Sequence, residues 1–157
     1  MSGQEPWNAE AARAMLAEMT AMPGPALAML QAVQARFGHV PAGAVALVAD
    51  AANVSRAEVH GVVGFYHDFR RAPAGRHVVR QCRAEACQSV GADALADHAK
   101  ARLGVDWHGT TKNGAVTLEP VFCLGLCACG PSALVDGEVV GRMDAAKFDA
   151  IVKKAGA

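Results

Sequence analysis

The segment AVTLEPVFCLGLCACGP, residues 115–131, is the most informative part of the sequence because a predicted strand runs directly into a cysteine-rich loop. The first eight residues of the segment are rich in β-branched and aromatic side chains, which predicts a β-strand over 115–122. Three of the five cysteines in the chain follow within seven positions, as Cys123, Cys127 and Cys129. Glycine and proline residues in the same loop allow the backbone to turn irregularly around these thiols.

A second predicted strand ends at the other two cysteines. The run HVVRQC, residues 77–82, is again typical of a strand, and Cys87 follows five residues after Cys82. Residues five apart on a helix lie roughly 140° apart around its axis, so an irregular loop must bring these two thiols together. If the two strands are neighbours in one sheet, both loops leave the same edge of that sheet and four thiols meet there.

The composition describes a neutral globular protein. Hydrophobic residues make up 52% of the 157 residues, which supports a packed core, and 15 basic side chains balance 15 acidic ones. A chain without excess positive charge lacks the surface that nucleic acids require, so we expect no nucleic-acid binding. The sequence has no signal-peptide pattern and no apolar stretch long enough for a membrane span, which predicts a cytoplasmic protein. In that reducing compartment, clustered cysteines favour metal ligation or redox chemistry over disulfides.

The two parts of the chain differ in their patterns, and together they predict an α+β protein. Residues 1–74 predict a four-helix unit, in which the fourth helix begins with the capping box Ser55–Glu58. Residues 75–157 predict the order β-α-β-β-β-α, which a small thioredoxin-like sheet requires, with a turn at Asp136-Gly137. The predicted helices of the first part run from Asn8 to about Met22, over 25–37 with a stop at Gly38, from about Pro41, and from Ser55.

Three kinds of site are candidates for the clustered cysteines. A structural zinc site is closed by four ligands, usually in tight pairs, and C-x4-C with C-x3-C is loose for such a site. A [2Fe–2S] cluster needs two thiolates for each iron and accepts wider spacings. A dithiol redox site normally uses C-x-x-C at the start of a helix, a pattern that this chain lacks. Spacing alone leaves the cluster and zinc as equal alternatives, and it allows Cys129 to replace a neighbouring ligand.

These cysteine segments resemble those of a known family. QCRAEACQ, residues 81–88, and FCLGLCACGPSALVDGEVVGRM, residues 122–143, are similar to the thioredoxin-like [2Fe–2S] ferredoxins, whose pattern is C-x4-C followed by C-x3-C within C-L-G-x-C. That family includes the 24-kDa subunit of NADH:quinone oxidoreductase and equivalent subunits of NAD-linked hydrogenases and formate dehydrogenases. With VSRAEVHGVVGFYHDF, residues 54–69, the segments most resemble the gamma-subunit group of soluble, molybdenum-containing, NAD-dependent formate dehydrogenases.

The resemblance implies an N-terminal helical bundle followed by a thioredoxin-like ferredoxin domain that holds one [2Fe–2S] cluster. The four ligands of the family pattern fall on Cys82, Cys87, Cys123 and Cys127, which leaves Cys129 as a spare thiol. Backbone amides of residues 83–86 and 124–126 are the candidate hydrogen-bond donors to the sulfurs, and the side chains of Arg80 and Arg83 are candidates to bias the local charge.

The function implied by the resemblance is electron relay without catalysis by this chain, within an NAD-dependent formate dehydrogenase. The expected partners are a flavin- and NADH-binding subunit and a molybdenum-containing catalytic subunit. FMN, NAD, further iron–sulfur clusters and the molybdenum cofactor would belong to those partners. The alternatives are the equivalent subunit of an NADH:quinone oxidoreductase or NAD-linked hydrogenase and, in a different class, a zinc-stapled interaction module.

Overall fold

Residues 5–157 are described by the computed structural model, and their contacts divide them into two compact units. The first unit ends at Pro73 and the second begins at Ala74. The described residues form seven α-helices and one four-stranded sheet, which confirms the predicted α+β class. No helix within residues 5–157 combines the length and the apolar character needed to cross a bilayer.

The first unit contains four helices, as the sequence predicts. Their apolar positions meet in one buried core that includes Leu16, Leu30, Val48 and Val59. The helices are α1 (Ala9–Ala17), α2 (Ala26–Phe37), α3 (Ala42–Ala52) and α4 (Arg56–Phe65).

The ends of these helices follow the predicted signals with one exception. The Asn8 side chain accepts hydrogen bonds from the first turn of α1, and α2 ends at Gly38 as predicted. The prediction that α1 continues to about Met22 is wrong, since the helix ends at Ala17. Beyond that point, hydrogen bonds from Met19 N to Leu16 O and from Met22 N to Met19 O form tighter turns. Such tightening is common after the last helical turn, where carbonyl groups have lost their intrahelical partners.

The predicted capping box is present at the start of α4. The Ser55 side chain accepts a hydrogen bond from Glu58 N at 3.2 Å, and the Glu58 carboxylate accepts one from Ser55 N at 2.8 Å. Hydrogen bonds from the Ser55 side chain, and then from its backbone amide, lower the pKa of Glu58 below its ordinary value. The ionised carboxylate is therefore the form that the folded state stabilises.

We expect Ser55→Ala to lower the free energy of unfolding by about 1 kcal/mol at pH 7, because α4 loses its N-cap. A carboxyl group with a lowered folded-state pKa stabilises the fold above its unfolded pKa, and this contribution disappears as the pH falls through the folded pKa. The difference between variant and wild type should therefore shrink at low pH, which urea denaturation at pH 7 and at about pH 3.5 can measure. Thr20→Ala, which changes an exposed hydroxyl after α1, is the control, and an equal loss there would contradict the capping argument.

The second unit combines a four-stranded sheet with helices. Its strand order along the chain agrees with the predicted β-α-β-β-β-α order, with one short helix added. The elements are β1 (His77–Cys82), α5 (Glu85–Gln88), α6 (Ala92–Leu103), β2 (Val116–Val121), a 3-10 turn (Cys127–Cys129), β3 (Ala133–Val135), β4 (Glu138–Val140) and α7 (Ala145–Lys154).

The sheet has the order β2-β1-β3-β4 and mixes parallel with antiparallel pairs. Strands β1 and β2 are parallel, whereas β3 is antiparallel to both β1 and β4. Pro120 lies in β2 at the edge of the sheet, where a residue without a backbone N–H is tolerated. Asp136 and Gly137 connect β3 to β4 with φ angles of 50° and 92°, the left-handed backbone that a two-residue hairpin turn requires.

Helices α6 and α7 share a hydrophobic core with the sheet. Leu95 of α6 and Phe148 and Val152 of α7 belong to the same buried cluster as Val79 and Leu118 of the two parallel strands. Because β1 is paired on both sides and β2 is its parallel neighbour, the carboxyl ends of the two strands lie together. This arrangement meets the condition stated above, that the two strands are neighbours in one sheet, and it places both cysteine loops at one edge of the sheet.

Candidate metal centre

The cysteine loops begin at the carboxyl ends of β1 and β2. Cys82 is the last residue of β1 and is paired in register with Val121, the last residue of β2. Cys123 follows two residues after Val121. The amide of Arg83 donates a hydrogen bond of 2.8 Å to Val121 O, which ties the start of the first loop to the start of the second.

Cys82 and Cys87 form a buried pair. Their exposed fractions are 2% and 1%, and they share a hydrophobic cluster with Ala92. The Cys87 side chain is close enough to Cys82 to help lower the pKa of its thiol, and the Cys87 sulfur lies 3.6 Å from Ser132 Oγ. The predicted irregular loop is only partly correct, because one helical turn, α5, carries Cys87. Residues 83 and 84 still provide the non-helical step that separates this turn from Cys82.

Cys123 and Cys127 form an exposed pair whose sulfur atoms are 3.7 Å apart. The amide of Gly125 donates to Cys123 Sγ at 3.4 Å. Both Cys123 and Gly125 have left-handed backbone, with φ angles of 79° and 77°, so the loop curls around the Cys123 sulfur. Such φ angles are uncommon for residues other than glycine, which marks Cys123 as a constrained position.

Backbone amides converge on the Cys82 sulfur. Burial raises the pKa of the Cys82 thiol, but hydrogen bonds from the Ala84 amide, the Cys87 side chain and the amides of Cys123 and Leu124 outweigh it, so the pKa is lowered. Two of these amides, from Ala84 and Leu124, belong to the segments predicted to supply donors. The Arg83 amide belongs to them too, but it donates to Val121 O and not to a sulfur. The Cys82 sulfur is thus prepared to carry negative charge.

The pKa of Cys127 responds to the cysteines of both pairs. A hydrogen bond with Cys123, followed by charge repulsion from the same residue, raises the pKa of the Cys127 thiol. Smaller contributions come from the charges of Cys87 and Cys82. A cation among these sulfurs would remove this repulsion, and the thiolate is the form of cysteine that binds metals.

The residues present fit a metal cluster with paired thiolate ligands. A tetrahedral metal with metal–sulfur bonds of about 2.3 Å holds two sulfurs about 3.8 Å apart. The observed 3.7 Å between Cys123 and Cys127 agrees with two ligands of one such metal. Within residues 5–157, no group of three or more His, Cys, Asp or Glu side chains is arranged around a single ion position. Four of the five thiols are grouped as two pairs, Cys82 with Cys87 and Cys123 with Cys127.

Cys129 lies beside the site without joining either pair. It is half-buried at the end of the 3-10 turn, and its carbonyl accepts a hydrogen bond from Arg142 N. Its thiol has no hydrogen bond to another sulfur in the described part of the chain. Gly141 packs closely against it, since a Cβ at Gly141 would lie 3.0 Å from Cys129 Cβ and 3.1 Å from Cys129 O.

We expect Gly141→Ala to lower the free energy of unfolding by about 1–3 kcal/mol, because the added methyl group must displace the backbone of the cysteine loop. Gly61→Ala is the matched control, since Gly61 lies inside α4 and a Cβ there would meet nothing within 4 Å. Alanine is the better helix former, so this control should stabilise the protein by about 0.5–1 kcal/mol. Urea denaturation of both variants checks the opposite signs, and a stabilising Gly141→Ala would contradict the packing described.

Sequence reasoning missed three contacts around the cysteines. Ser132 lies beside Cys87, Arg80 pairs with Glu119 across the two parallel strands at 2.8 Å, and the Arg83 guanidinium lies over the ring of Trp107. The strand register could have indicated the Arg80–Glu119 pair. The other two depend on tertiary folding and have no signal in residue spacing.

Comparison with known proteins places the chain in a family. The model of the thioredoxin-like [2Fe–2S] ferredoxin family matches residues 12–156. One subunit of the NADH-quinone oxidoreductase of Pseudomonas aeruginosa is 34% identical over 112 residues, which cover 71% of this chain and 68% of that protein. The HndA subunit of the NADP-reducing hydrogenase of Solidesulfovibrio fructosivorans is 32% identical over 120 residues, which cover 76% of this chain and 70% of that protein.

A solved structure agrees with this assignment. The crystal structure of an NAD+-reducing [NiFe]-hydrogenase in the air-oxidized state matches with a TM-score of 0.70 and 26% identity. The match covers 85% of this chain but only 23% of the hydrogenase chain. From its fold, its cysteine pattern and these relatives, the chain belongs to the thioredoxin-like [2Fe–2S] ferredoxin family.

Proposed function

We propose that the chain binds one [2Fe–2S] cluster through Cys82, Cys87, Cys123 and Cys127 and acts as a non-catalytic electron-transfer subunit of an NAD-linked oxidoreductase. The observation that carries the proposal is the meeting of two thiol pairs at the ends of neighbouring parallel strands. Two thiolates for each of two irons is the ligand set that such a cluster needs.

The paired arrangement favours this cluster over the zinc alternative. A structural zinc ion requires four ligands around one centre, whereas the thiols here are grouped two and two. The sequence pattern also lacks the tight C-x-x-C pairs of most zinc ribbons. The family match points to the same choice.

When bound, a [2Fe–2S] cluster accepts and releases one electron at a time. The chain itself binds the cluster and tunes its reduction potential. The amides of Ala84, Cys123 and Leu124 favour negative charge on the Cys82 sulfur, and hydrogen bonds of this kind raise the reduction potential of a cluster. The pair Cys82 and Cys87 is shielded from water, whereas Cys123 and Cys127 are exposed and form the side that a redox partner can approach.

The proposed partner is a flavin- and NADH-binding subunit. In the solved hydrogenase, the matching region makes up only 23% of one polypeptide. We propose that the remaining regions of that polypeptide correspond here to a separate partner subunit. The parent complex that residues 54–69 and the cysteine segments most resemble is a cytoplasmic, molybdenum-containing formate dehydrogenase. The named relatives belong to NADH-quinone oxidoreductases and hydrogenases, which are the second candidates.

Affinity purification of the tagged chain at native expression tests the parent complex. The formate proposal predicts co-purification of a flavin-containing subunit and a molybdenum-containing subunit, with formate-dependent reduction of NAD+ by the complex. Co-purification of quinone-reductase subunits, or of a nickel-containing hydrogenase subunit, would contradict the formate proposal and assign the chain to that other complex.

A further inference from the structure

We propose that Arg83 is a positioning residue of the metal centre: its side chain anchors the Cys82–Cys87 loop and thereby slows loss of the bound cluster. The inference rests on the proposed function, since it assumes that this loop supplies two of the ligands. It adds a residue that binds no metal and that stands at one of the unspecified positions of the C-x4-C pattern.

The backbone of Arg83 connects the two cysteine loops. Its amide donates to Val121 O at 2.8 Å, two residues before Cys123. Its carbonyl accepts a hydrogen bond of 2.8 Å from the side chain of Gln88, the residue after Cys87. A shift of Arg83 would therefore be transmitted to both cysteine pairs.

The side chain of Arg83 reaches away from the loop to two fixed points. Its Nη2 atom lies 2.9 Å from Asp93 Oδ1 in the first turn of α6. Its guanidinium carbon lies 5.5 Å from the centre of the Trp107 ring, a cation–π distance. The Arg83 side chain is 24% exposed and that of Asp93 is 60% exposed, so the ion pair is screened by solvent and the contact with Trp107 is the better shielded of the two.

One atom of this guanidinium shows how closely it is packed. Arg83 Nε is buried and has no hydrogen-bond partner among the described residues. A buried N–H without a partner is unfavourable. The ion pair with Asp93 and the face of Trp107 must therefore hold the side chain in place against this cost.

The rest of the loop has few connections to the remainder of the unit. The side chains of Gln88 and Ser89 bond to backbone carbonyls within the loop itself. Among the described residues 83–89, only Arg83 and Cys87 have side-chain polar contacts outside that segment, and those of Cys87 are with Cys82 and Ser132. With Cys87 engaged as a ligand, the anchoring of the loop falls to Arg83.

The test compares the rate at which purified, full-length protein loses its visible absorption to an excess of a ferrous-iron chelator. Arg83→Gln keeps the backbone bonds but removes the ion pair and the cation–π contact, and we expect about tenfold faster loss, as the combined strength of two such contacts implies. Arg83→Lys keeps the charge and part of the stacking, so its rate should lie between those of the wild type and Arg83→Gln. The electron paramagnetic resonance lines of the reduced Arg83→Gln protein should broaden because its loop samples several positions.

Lys100→Gln is the matched control. Lys100 lies 4.8 Å from the Trp107 ring and pairs with Asp106 at 2.6 Å, so it makes the same two kinds of contact without touching the cysteine loops. Its rate of cluster loss should stay within about twofold of the wild type. A wild-type rate in Arg83→Gln, an equal acceleration in Lys100→Gln, or no rescue by lysine would each overturn the inference.

Misfolding of Arg83→Gln and absence of the cluster from the wild type can each be distinguished from the outcomes above. If Arg83→Gln does not fold, Asp93→Asn takes its place, because it removes the ion pair and leaves Arg83 present. Faster loss in that variant supports the inference, and an unchanged rate contradicts it. If wild-type protein binds no cluster, the proposed function fails before Arg83 is tested.

Discussion

A Cys87→Ser variant is expected to lose the reddish-brown colour of the wild-type protein and most of its iron and acid-labile sulfide. Cys87 is buried beside Cys82 and Ser132, so we expect no other thiol to take its place as a ligand. A serine hydroxyl is a harder and much less acidic ligand than a thiol, and soft thiolates are what iron–sulfur clusters select. Visible absorption and iron analysis after anaerobic reconstitution provide the measurement.

Cys129→Ser is the control for this experiment. The thiol of Cys129 makes no hydrogen bond to another sulfur in the described residues, so this variant should keep its colour and about two irons per chain. If Cys129→Ser is colourless while Cys87→Ser remains coloured, the assignment of the four ligands is wrong.

Phe148→Ala is expected to lower the free energy of unfolding of the second unit by about 3–5 kcal/mol, the usual effect of removing a buried aromatic side chain. Phe148 is 1% exposed and belongs to the cluster that joins α7 to the sheet, and its ring lies edge-on to His98 at 6.1 Å. Urea denaturation followed by Trp107 fluorescence, in a Trp7→Phe background, would report the transition of this unit alone.

An exposed phenylalanine provides the comparison. Phe65 is 74% exposed, so Phe65→Ala should change the free energy of unfolding by less than about 0.5 kcal/mol. A Phe148→Ala effect as small as that of Phe65→Ala would show that α7 does not pack on the sheet as described.

Much of this architecture could be predicted because its signals are local. The Ser55–Glu58 box, the left-handed Asp136-Gly137 turn and the β-branched run that ends at Cys82 each depend on residues close together in the sequence. The meeting of the two cysteine loops was also predictable. It follows once the two strands that lead into the cysteine loops are assumed to be parallel neighbours.

The remaining features depend on tertiary contacts. The end of α1 at Ala17 lies several residues before the predicted end at about Met22. The single turn α5 is too short to be stable alone. It is held by the burial of its own residue Cys87 against Cys82 and Ala92. The Arg83–Trp107 contact joins residues far apart in the sequence, and nothing in their spacing indicates it.

Whether the four thiols hold two irons can be decided from the iron and acid-labile sulfide content of full-length protein, purified anaerobically from cells with intact cluster assembly. We expect reddish-brown protein with about two irons and two sulfides per chain, and a one-electron paramagnetic signal after reduction. Folded, colourless protein with one zinc ion per chain and no sulfide would contradict the assignment of a [2Fe–2S] cluster.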